Sequence, residues 1–288
     1  MKIRVNGKEL FVDVEGQGLV AENGILTEKP TLILLHGAPG NSDHTVFKPM
    51  FSELTDAAQI IYLDMCGCGR SDESPDGTYS LESWADDIVG LCDVLGINKP
   101  LVLGNSAGGM VAATYAIKYP DHPGKIVLSS TQAKLRPERC LPVFERLGGQ
   151  RARTLAEAAL VSPADTEALL AYARECMPLY NPTPQTRPRT SIFRKQSAEA
   201  FHLRGGVWHT MDFLDELGRI TCPTLVLAGD QDPVTPIEDS EDIVANLNHD
   251  IVTYERFENA GHGVWLDNPE RAFKVLREFV AGATPHQA

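Results

Sequence analysis

The run Leu101-Val102-Leu103 passes directly into Gly104-Asn105-Ser106-Ala107-Gly108-Gly109 and then into a helix-like stretch from Met110 to Tyr119. A strand that turns sharply into a helix around one serine leaves no room for large neighbours, which accounts for the small residues on both sides. Such a turn belongs at the carboxyl edge of a parallel sheet, with the serine at a helix N-terminus that favours developing negative charge. A glycine-rich turn that only packs a helix on a sheet reads the same way, so the motif needs chemical partners elsewhere in the chain.

The rest of the sequence supplies the sheet. Short apolar runs recur at Leu32-Ile33-Leu34-Leu35, Ile60-Ile61-Tyr62-Leu63, Ile126-Val127-Leu128 and Leu225-Val226-Leu227, as expected of strands buried on both faces. Helical periods lie between them: one through Phe47, Met50, Phe51 and Leu54, another through Leu81, Trp84, Ile88, Leu91 and Leu95. A last helix starts with Asn268 as N-cap and Pro269, presenting Phe273, Leu276 and Val280 on one face. At the N-terminus, alternation around Asn6-Gly7 predicts a hairpin with a type I′ turn. The fold class is therefore α/β: a mostly parallel, doubly wound sheet with an antiparallel start. The alternation breaks between residues 133 and 211, where stretches such as Thr154 to Leu160 and Thr166 to Cys176 precede Asn181-Pro182-Thr183-Pro184. We read 133–211 as an inserted helical cap on one core domain made of residues 1–132 and 212–288.

A neutral serine is a weak nucleophile and needs a base and an orienting acid. Strand-like Leu225 to Gly229 ends in Asp230-Gln231-Asp232, placing carboxylates at the same sheet edge, with Asp232 the expected acid and Asp230 a competitor that can instead hold the turn. Ile251 to Phe257 leads into Asn259-Ala260-Gly261-His262-Gly263, whose glycines let the backbone carry the His262 imidazole over the serine. Acyl transfer also needs backbone donors for an oxyanion. Ala107 follows the serine, and Ala38 lies in His36-Gly37-Ala38-Pro39-Gly40 after an early strand; His36 is expected to brace that loop. The stretch Asp64 to Asp72 is glycine-rich but lacks phosphate-loop spacing, so no nucleotide cofactor is implied.

Composition narrows the partners. A formal net charge of -13 and an isoelectric point near 5.0 argue against nucleic acid or anionic membranes as partners. The N-terminus shows no apolar targeting stretch, so a cytoplasmic protein is expected. Six cysteines without CxxC pairs suit reduced thiols, and neither a metal nor another cofactor is expected. The charge is uneven: residues 133–211 hold twelve Lys and Arg against seven Asp and Glu, leaving 14 against 32 elsewhere.

Taken together, the His36 to Gly40 loop, the Asp64 to Ser71 loop, the Gly104 to Gly109 turn, the Gly229 to Pro236 segment and Gly261-His262-Gly263 resemble the α/β-hydrolase superfamily, most closely its proline iminopeptidase-related branch. The resemblance spans roughly 25–132 and 212–282. It implies a cofactor-independent serine hydrolase that cleaves a small-molecule or short-peptide acyl bond, with Ser106, Asp232 and His262 as a triad and Ala38 and Ala107 as the oxyanion hole. The chain departs from the branch in having Ala38 where a second glycine is usual, Cys66 where arginine is usual, and Ala107 where tryptophan is usual. That branch is described as holding a substrate amine with acidic cap residues, for which Glu145 and Glu175 are the analogues; the alternative for a cap glutamate among many arginines is a surface ion pair. In its basic cap and its Gly104-Asn105-Ser106 elbow the chain is equally similar to carboxylesterases, lactonases and carbon–carbon bond hydrolases acting on carboxylate-bearing substrates, with Arg174 or Arg204 then meeting the carboxylate. A non-catalytic binder on this fold would carry a damaged triad, whereas all three positions are filled here. The reading leaves both a monomer and a homo-oligomer open.

Overall fold

The computed structural model describes residues 1–22, 25–161, 166–185 and 190–282. Among the described residues the ten strands are β1 (Lys2–Val5), β2 (Lys8–Glu15), β3 (Leu19–Glu22), β4 (Ile25–Glu28), β5 (Thr31–Leu35), β6 (Gln59–Leu63), β7 (Leu101–Asn105), β8 (Lys125–Ser129), β9 (Thr224–Gly229) and β10 (Val252–Phe257). Eight of them form one sheet in the order β1-β2-β6-β5-β7-β8-β9-β10, while β3 and β4 pair separately. Pairing is antiparallel from β1 through β2 to β6 and parallel from β6 to β10. The opening turn has positive φ at both Asn6 and Gly7, as a type I′ hairpin requires. The chain steps outward from β5 to β6 and then returns to the other side of β5 with β7. The carboxyl ends of β5 and β7 thus flank the point where the winding reverses, the usual place for a ligand crevice.

Alternate residues of the parallel strands bury into two separate cores. Ile33, Leu35, Ile61 and Leu63 pack with α1 (Leu81–Leu95) and α2 (Ala107–Lys118). Leu32, Leu34, Ile60 and Tyr62 pack on the opposite face, against the C-terminal helix. This double burial is why the strands read as unbroken apolar runs. The helix expected through Phe47 and Leu54 is instead two 3₁₀ turns, His44–Phe47 and Met50–Leu54. Pro49 lies between them; it has no N–H to donate, and it disfavours helical backbone at Lys48. The apolar spacing still serves, because Phe51 meets Trp265 and Phe273 edge-on at 5.0 and 5.3 Å.

Between β8 and β9 lie α3 (Pro137–Ala156), α4 (Thr166–Glu175), α5 (Lys195–His202) and α6 (Val207–Thr210). The first is broken at Gly149, where φ is 73°, and runs on into a π-helical turn, Glu157–Val161. An isolated antiparallel bridge between Lys134 and Asp212 joins the outgoing and returning segments of this excursion. The chain closes with α7 (Ile237–Asn246) and α8 (Pro269–Ala281), the latter capped by Asn268, whose Oδ1 accepts the Arg271 N–H at 3.2 Å. Among the described residues no helix is long and apolar enough to cross a membrane.

Candidate active site

At the end of β7, Ser106 has φ 56° and ψ -123°, a left-handed conformation that costs an L-residue energy and persists only where its surroundings enforce it. The enforcement is steric. A Cβ on Gly104 would strike the Gly108 carbonyl, and one on Gly108 would strike the Leu35 carbonyl, so the elbow closes only with hydrogen at both places. Ser106 Oγ makes no hydrogen bond to any described residue, which leaves the hydroxyl uncommitted at the N-terminus of α2.

The loop after β5 lies over this serine. A Cβ on Gly37 would come within 2.9 Å of Ser106 Cβ and 3.3 Å of Oγ. Ala38 follows with φ 42°, and Ala107 is the first residue of α2, where an N–H has no partner one turn back. Among the described residues neither the Ala38 nor the Ala107 N–H is hydrogen-bonded. His36 braces the loop as expected. Its Nδ1 donates to Gly37 O at 2.9 Å and its Nε2 accepts from Met65 N–H at 3.3 Å, an arrangement that assigns the neutral Nδ1–H tautomer. Burial pushes this imidazole below its ordinary value, in keeping with a neutral ring.

Asp232 and His262 meet across the sheet edge, with His262 Nδ1 and Asp232 Oδ2 2.8 Å apart. The carboxylate is 2% exposed, and its other acceptor positions are filled by the N–H groups of Val234 and Thr235 at 2.8 and 3.1 Å and by Thr235 Oγ1 at 2.9 Å. With every other lone pair occupied, Oδ2 holds the imidazole in one orientation and fixes the proton on Nδ1, so Nε2 is the acceptor. Asp230 serves the loops instead. It accepts from Asn259 N–H at 2.8 Å and Gln231 Nε2 at 3.0 Å, which ties the acid turn to the histidine loop.

Two residues that the sequence did not mark hold that loop. The Tyr180 carbonyl accepts the His262 N–H at 2.8 Å, and the Tyr180 ring meets the imidazole edge-on at 5.3 Å. Asp267 Oδ2 accepts from Gly261 N–H at 2.7 Å and from Asn181 Nδ2 at 2.8 Å. Only the placement of Asp267 just before the Asn268-Pro269 helix start was legible; nothing local to Tyr180 announces a partner 82 positions away.

Of the residues expected to hold a substrate's charged end, Glu145, Glu175 and Arg174 lie in ion pairs. Glu145 pairs with Arg153 at 3.0 Å, and Glu175 is held by Arg151 and, at 3.1 Å, by Arg174. These guanidiniums bring the Glu175 carboxyl down to about 2. Arg204 is exposed, and the Arg174 side chain is 71% exposed. Both glutamates thus lie in ion pairs at the protein surface, where long side chains of opposite sign find each other at little cost.

The glycine-rich loop from Asp64 to Asp72 is structural. Buried Asp64 accepts the N–H groups of His44 and Arg70, each at 2.8 Å, and lies 2.7 Å from His44 Nδ1. Burial raises the thiols of Cys66 and Cys68 to about 12, so both stay protonated. Asp43, His44 and Asp64 offer atoms within 4.8 Å of one another, spacing that a metal ion can bridge. Their carboxylates are engaged in the protein's own hydrogen bonds, Asp43 with the N–H groups of Thr45 and Ile192 at 3.0 and 2.9 Å.

Comparison with known proteins agrees with this fold. The profile of the family described as alpha/beta hydrolase fold matches residues 30–269. A proline iminopeptidase from Lactobacillus helveticus (strain DPC 4571) is 28% identical over 302 residues, covering 96% of this chain and 97% of the relative. Among solved structures, a thermophilic esterase from Thermogutta terrifontis superposes with a TM-score of 0.68 at 26% identity, covering 98% of each chain. A proline iminopeptidase from Mycobacterium smegmatis superposes with a TM-score of 0.76 at 23% identity, again covering 98% of each, a likeness of fold.

Proposed function

Because the chain belongs to the α/β hydrolase fold family and is a hydrolase, we propose that it cleaves a small-molecule or short-peptide acyl bond through Ser106, His262 and Asp232, with residues 133–211 as a cap over the site. The observation that carries this reading is the His262 to Asp232 hydrogen bond of 2.8 Å, made at the sheet edge where Ser106 is held in a strained, uncommitted conformation.

In this mechanism Ser106 Oγ attacks the acyl carbonyl while His262 Nε2 takes its proton. Asp232 stabilises the imidazolium that results. The carbonyl oxygen gains charge as the tetrahedral intermediate forms, and the unpaired N–H groups of Ala38 and Ala107 donate to it, an arrangement worth roughly 3 kcal/mol of barrier per donor. Collapse expels the leaving group, protonated by His262, and leaves an acyl-enzyme. His262 then deprotonates water for attack on the ester, and the acid product departs as Ser106 recovers its proton. Protein groups supply every proton transfer.

For the substrate, the proline iminopeptidase relative supports an N-terminal prolyl amide. A second reading, a small ester, lactone or carbon–carbon bond in a carboxylate-bearing molecule, is supported by the pairing of Glu145 and Glu175 with arginines, which already engages the carboxylates that a free amine would need. The test is mass spectrometry of the intact protein after a fluorophosphonate probe, beside Ser106→Ala, followed by prolyl-amide and short-chain p-nitrophenyl ester substrates. One adduct on the wild type and none on the variant is expected. Turnover of esters without prolyl amides rejects the aminopeptidase, and an unlabelled wild type rejects the triad and favours a non-catalytic ligand-binding role.

A further inference from the structure

The three residues that follow or end β8 touch both halves of the proposed catalytic apparatus. Ser129 O accepts the Ser106 N–H at 2.9 Å. Thr131 Oγ1 donates to Ser106 O at 2.7 Å, and Gly109, in the first turn of α2, lacks the Cβ that would otherwise lie 2.6 Å from Thr131 Cβ. Between them, Ser130 adopts φ 45°, and its hydroxyl accepts the Gly263 N–H at 2.9 Å, one residue after His262. The Ser130 N–H in turn donates to Leu227 O at 3.0 Å, which fixes the corner to β9, the strand that leads to Asp232. All three side chains are at most 1% exposed, so water does not replace these contacts.

We propose that Ser130 and Thr131 are positioning residues for the serine and the histidine: a buried corner that sets the elbow through Thr131 and the imidazole through Ser130. The inference rests on the triad reading. A serine with positive φ between two residues bonded to Ser106 is explained by this double duty, since the turn at Ser130 is what lets adjacent side chains reach the elbow and the histidine loop. The two bonds also assign different effects. Thr131 holds the nucleophile's carbonyl and hence the angle of the elbow, whereas Ser130 holds the backbone next to the base and hence the reach of Nε2.

The test is the second-order rate of fluorophosphonate labelling at Ser106 as a function of pH, in wild type, Thr131→Val, Thr131→Ser, Ser130→Ala and Ser130→Gly, with circular dichroism on each. Misplacing a reacting group by a fraction of an ångström is expected to slow labelling about ten- to a hundredfold. Thr131→Val should show that loss at every pH with the profile unmoved, and Thr131→Ser should restore the rate. Ser130→Ala should lose rate and shift the pH midpoint; Ser130→Gly, which keeps the backbone conformation but not the acceptor, should do the same and serves where the alanine variant is unstable. Folded variants that label within twofold of the wild type with unchanged profiles overturn the corner's role while leaving the triad standing. A wild type that does not label overturns the triad, and the corner's role with it.

Discussion

Gly108 and Gly96 illustrate how one residue type answers two different physical demands. Gly108 sits where α2 passes the end of β5, and any Cβ would press into the Leu35 carbonyl, which the sheet holds in place. Gly96 ends α1 with φ 67°, and a Cβ there meets nothing within 4 Å. Gly108→Ala is therefore expected to cost about 3 kcal/mol or more, because neither backbone can yield. Gly96→Ala should cost only the left-handed penalty of about 1–2 kcal/mol. Urea unfolding of the two variants measures the difference; equal costs would mean that the elbow relaxes around an added methyl. The glycines of the elbow were legible as a pattern, but the close approach of Gly37 to Ser106, which leaves no room for a Cβ, was not, since the two residues lie 69 positions apart.

At the scale of elements, α5 and α6 enclose a histidine whose titration bears on stability. His202 ends α5 among Phe201 and Trp208, with ring centroids at 4.8 and 5.7 Å, and its Nε2 is buried without a partner among the described residues. Burial, with the charge of His209 adding to it, pushes the imidazole from its ordinary 6.5 to about 4. The unfolded ring takes up a proton below about 6.5 while the folded ring resists until about 4, so stability drains as pH falls through that window. His202→Phe removes the difference. Relative to this variant the wild type should lose about 2 kcal/mol between pH 7.5 and pH 4.5, read from urea unfolding at both values. Parallel curves would show that the ring is charged in the folded state. The same comparison cancels Asp239, whose raised carboxyl acts in the opposite direction.

Over the whole molecule, the uneven charge seen in the sequence becomes a set of contacts between the basic insertion and the acidic remainder. Arg139 of α3 reaches Asp239 and Asp242 of α7 at 2.7 and 2.8 Å, Arg136 reaches Asp242 at 3.3 Å, and Arg194 reaches Glu73 at 3.1 Å. Asp239 is 3% exposed, and burial holds its carboxyl up at about 7 even with Arg139 beside it. Arg139→Gln leaves that carboxylate buried without a cation, at a cost of about 3 kcal/mol at pH 8. Without the guanidinium the carboxyl rises further. A group raised on folding stabilises at low pH and loses that contribution as pH rises, so the variant's deficit should shrink by pH 5.5, where Asp239 carries a proton. Denaturant unfolding at the two values checks this, and a deficit equal at both would assign the loss to packing of the arginine stem.

The sequence alone determined the α/β hydrolase fold, because period, turn chemistry and small-residue crowding are local properties that each segment carries with it. The unbroken apolar runs announced strands buried on both faces, and the order of Ser106, Asp232 and His262 along the chain placed each at the end of its own strand. Tertiary structure decided which distant groups meet. Tyr180 takes the His262 N–H, Ser130 and Thr131 join the serine to the histidine loop, and Glu145 and Glu175 are turned to neighbouring arginines. Those contacts depend on how the insertion folds back and on which surface charges come within reach, and a hydrogen bond or ion pair between residues far apart in the chain leaves no periodic trace in either.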